Sequence, residues 1–266
     1  MIFRGNSRRG LVGQLRLLLL LAVLLGVAVQ QWRSHVRMTE WRAPLWVAVY
    51  PIPAQDTPAV KRYVAGLTQR DLAPLEAFFR REAHRYGIGL ETPVYWRLGP
   101  VREESPPEPP APGRMLATMG WSLHMRYWAW RRLRDVEGPP ADVVMFVRYF
   151  DPKAEVVLDQ SVGLRKGLIG VVNAFATRRQ TGANRMIIAH EFLHTLGATD
   201  KYDMQTLMPV FPDGYAEPER RPRLPQRRAE IMGGRIPVTP SRAVIPRHLG
   251  EVVVGPATAR EIGWVR

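Results

Sequence analysis

The chain has 266 residues, 46% of them hydrophobic and 23% charged, a length and balance that suit one sizeable domain with its own core rather than two large ones. It contains no cysteine, which excludes disulfides and thiolate-held metals, so any metal must be held by His, Asp, Glu or water. A formal charge of +14 favours anionic partners such as phospholipid head groups, cell-wall polymers or nucleic acid, without specifying a function.

Arg4, Arg8 and Arg9 precede an apolar segment whose uninterrupted core, Leu17 to Val29, is 13 residues long and reaches 19 when Leu11 to Arg16 is added. Residues 1–30 therefore read as an N-terminal signal anchor or transmembrane helix, with a cleaved signal peptide as the alternative because Gly26, Val27 and Ala28 are small. Arg33, Arg37 and Arg42 follow, so the charge difference across the segment is small and orientation is weakly coded. The expectation is a single-pass protein of the inner (cytoplasmic) membrane with its body on the periplasmic side. Residues 31–44 form a juxtamembrane connector and residues 45–266 the folded domain.

"LWVAVYPI" (Leu45 to Ile52) reads as a buried strand ended by prolines. Asp71 can cap a helix to about Tyr86, with Leu72, Leu75, Phe78 and Phe79 on one face and Gly87 as its stop. A strand near Pro93 to Leu98 leads into the proline-rich stretch Glu103 to Gly113, which predicts an extended surface loop. From Leu116 to Val136 a helix interleaves Trp121, Tyr127, Trp128 and Trp130 with Arg126, Arg131, Arg132 and Arg134. Such a mixture suits nucleic acid, but a helix packing its aromatic rings while its arginines stay solvated or meet lipid head groups explains it more simply. Asp142 to Phe150 is the strongest central-strand candidate, and Gly167 to Ala176 reads as a strand interrupted by glycine in the manner of an edge.

A helix beginning near Asn184 carries "HEFLHTLGATDKYD" (His190 to Asp203). His190 and His194 are four apart, so on a helix their imidazoles leave the same face and can grip one ion. Glu191, beside the first histidine, can take a proton from metal-bound water and pass it to a departing amine. A catalytic zinc needs a third protein ligand and an open position. Gly197 can end the helix in the left-handed conformation and turn the chain so that Asp200 offers a carboxylate. Asp203 competes with it, and Asp213, Glu217 and Glu219 are further candidates disfavoured by Pro212, Gly214 and Pro218, which break any helix that would present them.

The full pattern, H-E-x-x-H-x-x-G-x-x-D, resembles the metzincin metallopeptidases, whose last position is His, and more closely their snapalysin-like branch, which has Asp there. The resemblance implies an α+β fold, a zincin-like twisted sheet with an active-site helix and a methionine turn. It implies Zn2+ as cofactor, Asp200 as the third ligand beside His190 and His194, and Tyr202 as a hydrogen-bond donor to the tetrahedral intermediate. Met232, followed by two glycines that permit a sharp turn, is the favoured turn methionine; Met208 is the alternative. By the same likeness, Gly167 to Ala176 would be the edge strand along which an extended peptide lies.

The function implied is a zinc endopeptidase of the cell envelope, with Glu191 as general base acting on peptide or protein substrates. The alternative is an inactive relative serving as an envelope-binding or adaptor protein. Nucleic acid is not an expected partner.

Overall fold

Runs of β-branched and aromatic residues set the centre of the molecule. In the computed structural model, the described residues are 21, 25, 26, 37, 39–108, 110, 114–133, 140–154, 162–164 and 168–265. The chain divides into two units, Met1–Glu40 and Trp41–Arg266. Of the first, the described residues 21, 25, 26, 37, 39 and 40 are helical. All elements named below belong to the second.

Strands β1 (Leu45–Pro53), β2 (Val94–Leu98), β3 (Val143–Phe150), β4 (Val162–Leu164) and β5 (Ile169–Phe175) form a sheet in the order β2-β1-β3-β5-β4. The first four in that order run parallel, with Val47 opposite Val143 and Phe146 opposite Val171, and β4 runs antiparallel to β5. Both faces are covered, which is why β1 and β3 read as nearly continuous apolar runs. On one face, Ala48, Tyr50, Ile52 and Phe146 pack against Met125, Trp128 and Ala129 of α3 (Met115–Leu133). On the other lie α1 (Pro58–Ala65), α2 (Ala73–Arg85) and α4 (Thr181–Leu196), where Phe79, Trp96 and Phe192 meet ring against ring. Helix α5 (Pro256–Glu261) is the last described element.

Local signals explain most boundaries. Asp71 closes a capping box with Thr68 in a short 3-10 turn just ahead of α2, and Gly87 takes a φ of +76° past its end. Trp41, which sequence alone puts in the connector, is buried and donates its indole N–H to the Ile262 carbonyl at 2.7 Å.

Two expectations are corrected. The first is the N-terminal transmembrane helix, and with it the single-pass inner-membrane location. Most of residues 1–30 lies outside the described residues, and no helix among the described residues is long and apolar enough to cross a membrane. The longest described helix, α3, carries three arginines. The second concerns the edge strand: β5 is interior, and β4 lies outside it. Gly170 marks a close approach instead, because a Cβ there would come within 2.5 Å of the Met145 side chain.

Gly182, in the first turn of α4, lies against the Arg247 carbonyl, into which an added Cβ would collide. Alanine in a helix is favoured over glycine by ~1 kcal/mol, but backbone cannot swing aside as a side-chain tip can, and such overpacking costs about 2–3 kcal/mol. Gly182→Ala is therefore expected to lower the unfolding free energy by about 1–2 kcal/mol in urea titration, opposite to the sign that helix propensity gives.

Candidate metal centre

Helix α4 is apolar nearly all round, with Ile188, Ala189, Phe192, Leu193 and Leu196 buried, so its polar residues stand out as placed for another purpose. Asn184 docks its first turn on the sheet: the side-chain amide donates to the Phe175 carbonyl at 2.9 Å and its oxygen accepts from the Phe175 N–H at 3.1 Å. The helix thus continues the hydrogen bonding of β5 through a side chain. Two turns later His190, Glu191 and His194 emerge at the wall of a cleft of about 510 Å³.

Both imidazoles are oriented through Nδ1. That of His190 lies 2.9 Å from the Ile231 carbonyl, and that of His194 lies 2.8 Å from the Ala198 carbonyl. A carbonyl only accepts, so both rings carry their proton on Nδ1 and turn Nε2 toward the cleft. The two Nε2 atoms are 3.0 Å apart.

Gly197 ends α4 at φ +109°, and the Ala198 N–H returns to the Leu193 carbonyl, closing the helix with the bend that glycine permits. The next residues are pinned on both sides of Asp200. Thr199 gives its N–H and hydroxyl to Glu261, while the Lys201 N–H goes to the Met232 carbonyl and the Lys201 carbonyl accepts from Val210. Asp200 Oδ1 is thereby held 3.1 Å from His190 Nε2 and 3.2 Å from His194 Nε2. Burial raises the Asp200 carboxyl, but hydrogen bonds to both histidines and their charges hold it far below the usual carboxylate range. Burial likewise lowers the basicity of His190, and the Asp200 hydrogen bond, the Glu191 charge and the Ile231 carbonyl more than reverse it.

His190, Glu191 and His194 offer ligand atoms that all lie within 4.8 Å of one another, a group that could hold a metal ion. Asp200 Oδ1 lies nearer still to both imidazoles. The triangle of two Nε2 atoms and Oδ1, with sides of 3.0 to 3.2 Å, is close to the ~3.3 Å between ligand atoms around one tetrahedral ion with bonds of ~2.0–2.1 Å. Nitrogen and oxygen donors of this kind suit zinc.

The other expected residues sort by position. Asp203, exposed, uses Oδ1 to accept from the Gln205 N–H and from the N–H and hydroxyl of Thr206, which lowers its pKa and spends it on a local turn. Asp213, Glu217 and Glu219 do not line the cleft. Tyr202 does, and burial together with the charges of Asp200 and Glu191 raises its phenol, so it keeps its proton at neutral pH. Met232 is fully buried in the turn Glu230–Gly234, whose Ile231 and Met232 carbonyls hold His190 and Lys201 respectively. Met208, half-buried, belongs to the loop after Asp200, where its carbonyl accepts from Asp203.

Sequence reasoning missed the two carbonyl acceptors, since any residue supplies one, and the docking role of Asn184. It also missed Glu230, whose buried carboxylate accepts from the Gly233 N–H, the Gly255 N–H and the Thr258 hydroxyl, tying the methionine turn to α5. A glutamate within an apolar run, next to a Met-Gly-Gly turn, was the available signal.

No protein-family model matches the chain, and no curated protein matches it.

Should this group hold zinc with Asp200 among its ligands, Asp200→Asn is expected to weaken that binding at least about 100-fold in a competitive chelator titration, beyond the loss typical of an outer partner. Asp203→Asn should leave zinc binding unchanged. A pH effect follows from Glu261, raised by burial but pulled below its ordinary pKa by Lys201 Nζ at 2.7 Å and by Thr199. A depressed carboxylate contributes stability that is complete above its unfolded pKa of ~4.3 and is lost as pH falls through the lower folded value. Lys201→Met should therefore lower stability at pH 7 and flatten its decline between about pH 5 and pH 3, measured by denaturant unfolding across that range.

Proposed function

We propose that the chain is a zinc-dependent endopeptidase, with His190, His194 and Asp200 as metal ligands and Glu191 as general base. One observation carries this reading. Two imidazole Nε2 atoms and a carboxylate oxygen converge within 3.2 Å of one another while both imidazoles donate their Nδ1 protons elsewhere. Three such atoms this close need a proton or a cation shared among them, and zinc is a cation that this donor set suits.

When bound, zinc supplies a Lewis acid that lowers the pKa of a coordinated water toward ~7 and polarises a carbonyl. The remaining work belongs to side chains. Glu191, 6% exposed and lining the cleft beside both histidines, is the carboxylate placed to take a proton from the attacking water. It then delivers that proton to the departing amine nitrogen. Tyr202, neutral at working pH, can donate its phenolic hydrogen to the oxygen on which negative charge develops. The Ile231 and Ala198 carbonyls keep both histidines in the ligating tautomer throughout. Apolar walls from Phe175, Met186, Ile187 and Ile245 limit water in the cleft.

The decisive experiment is Glu191→Gln assayed against a broad peptide library. Zinc content measured by atomic absorption should stay at one ion per chain, whereas turnover should fall by about 10²–10⁴-fold. Zinc-loaded protein that cleaves none of the library before mutation would instead favour the binding or adaptor role.

A further inference from the structure

Helix α3 has two apolar faces, and only one of them serves the core. Met125, Trp128 and Ala129 are buried against Tyr50 and Phe146. On the far side stand Leu116, Met119, Leu123, Tyr127 and Trp130, exposed by 81%, 59%, 65%, 55% and 56%. Their spacings of three and four residues confine them to an arc of about 80° at ~100° per residue, a single stripe about 20 Å long. Large apolar residues scattered singly need no explanation, but a continuous stripe of five does.

The charges beside the stripe indicate its partner. Exposed Arg131 and His124 flank it on one edge and half-buried Arg126 on the other, with exposed Arg114 just before the helix. The helix contains no acidic residue, and the whole chain carries +14. A second copy seated on this face would set arginine against arginine. Nucleic acid would gain little from Leu116, Met119 and Leu123, whose aliphatic groups neither stack on bases nor meet phosphates. An acyl-chain boundary beneath anionic head groups satisfies both parts: the leucines and methionine enter the apolar layer, Tyr127 and Trp130 sit at head-group level, and the arginines meet phosphate.

We propose that the exposed face of α3 is a docking surface for an anionic phospholipid bilayer, on which the helix lies flat. This is a peripheral contact and involves no membrane-crossing segment. It is independent of the metal site, because α3 and α4 cover opposite faces of the sheet, so docking leaves the cleft clear.

The absence of cysteine allows a single reporter to be placed at will. In full-length protein, Leu123→Cys labelled with an environment-sensitive fluorophore is titrated with vesicles of phosphatidylcholine alone or containing 30% phosphatidylglycerol, a mixture chosen as roughly the anionic content of cell membranes. Lys61→Cys, on the exposed side of α1, serves as control. A blue shift at position 123 is expected, with affinity for anionic vesicles about tenfold or more above that for neutral ones and reduced by salt. The Lys61→Cys label should not shift. Adding Trp130→Ser to the reporter protein should weaken binding about tenfold with its circular dichroism unchanged, since the residue is exposed. Absence of a shift at 123, an equal shift at 61, or equal affinity for neutral vesicles would overturn the proposal. A concentration-dependent shift without vesicles would assign the stripe to a second copy and overturn it as well.

Discussion

The site depends on two hydrogen bonds, those from the Nδ1 atoms of His190 and His194 to the carbonyls of Ile231 and Ala198. A neutral imidazole that has committed its proton to a carbonyl presents a lone pair on its other nitrogen. With both rings so committed and Asp200 Oδ1 brought between them, the arrangement is an electron-rich corner in a mostly apolar wall. Such a corner is costly to bury without a positive charge. The surrounding fold can be read as the set of constraints that keeps it from relaxing.

Those constraints come from three directions. The sheet fixes α4 through the side chain of Asn184, so the histidines are set relative to β5. The turn at Glu230–Gly234 supplies the acceptor for one histidine and a carbonyl for Lys201, linking His190 to the backbone beside Asp200. Helix α5 then holds both partners, gripping the turn through Glu230 and the Asp200 loop through Glu261. No single contact is strong, but each removes one route by which Asp200 could turn to solvent.

Much of this was legible before any coordinates, for reasons that differ by element. The central strands declared themselves because burial on both faces leaves continuous apolar runs, and the i, i+4 spacing of the histidines put both imidazoles on one face of their helix. Gly197 announced the end of α4 because only a residue without Cβ enters the left-handed region cheaply. The edge strand was misread: Gly170 reflects the width of Met145 across the sheet, a fact invisible to any local window. The choice between Asp200 and Asp203 was equally closed to sequence, since both carboxylates follow the same turn and only the long-range pinning of Thr199 and Lys201 separates them. The transmembrane reading of residues 1–30 rested on an apolar segment of 13 to 19 residues behind three arginines, a local pattern that no helix among the described residues bears out.

The tether from Lys201 and Thr199 to Glu261 spans about 60 residues of chain, and this separation has a temporal meaning. On the ribosome, both histidines emerge well before the segment that fixes the aspartate. A growing polypeptide that has exposed its helix still lacks Glu261, which holds the residues on either side of Asp200. The position of Asp200 thus depends on a carboxylate about 60 residues further along the chain.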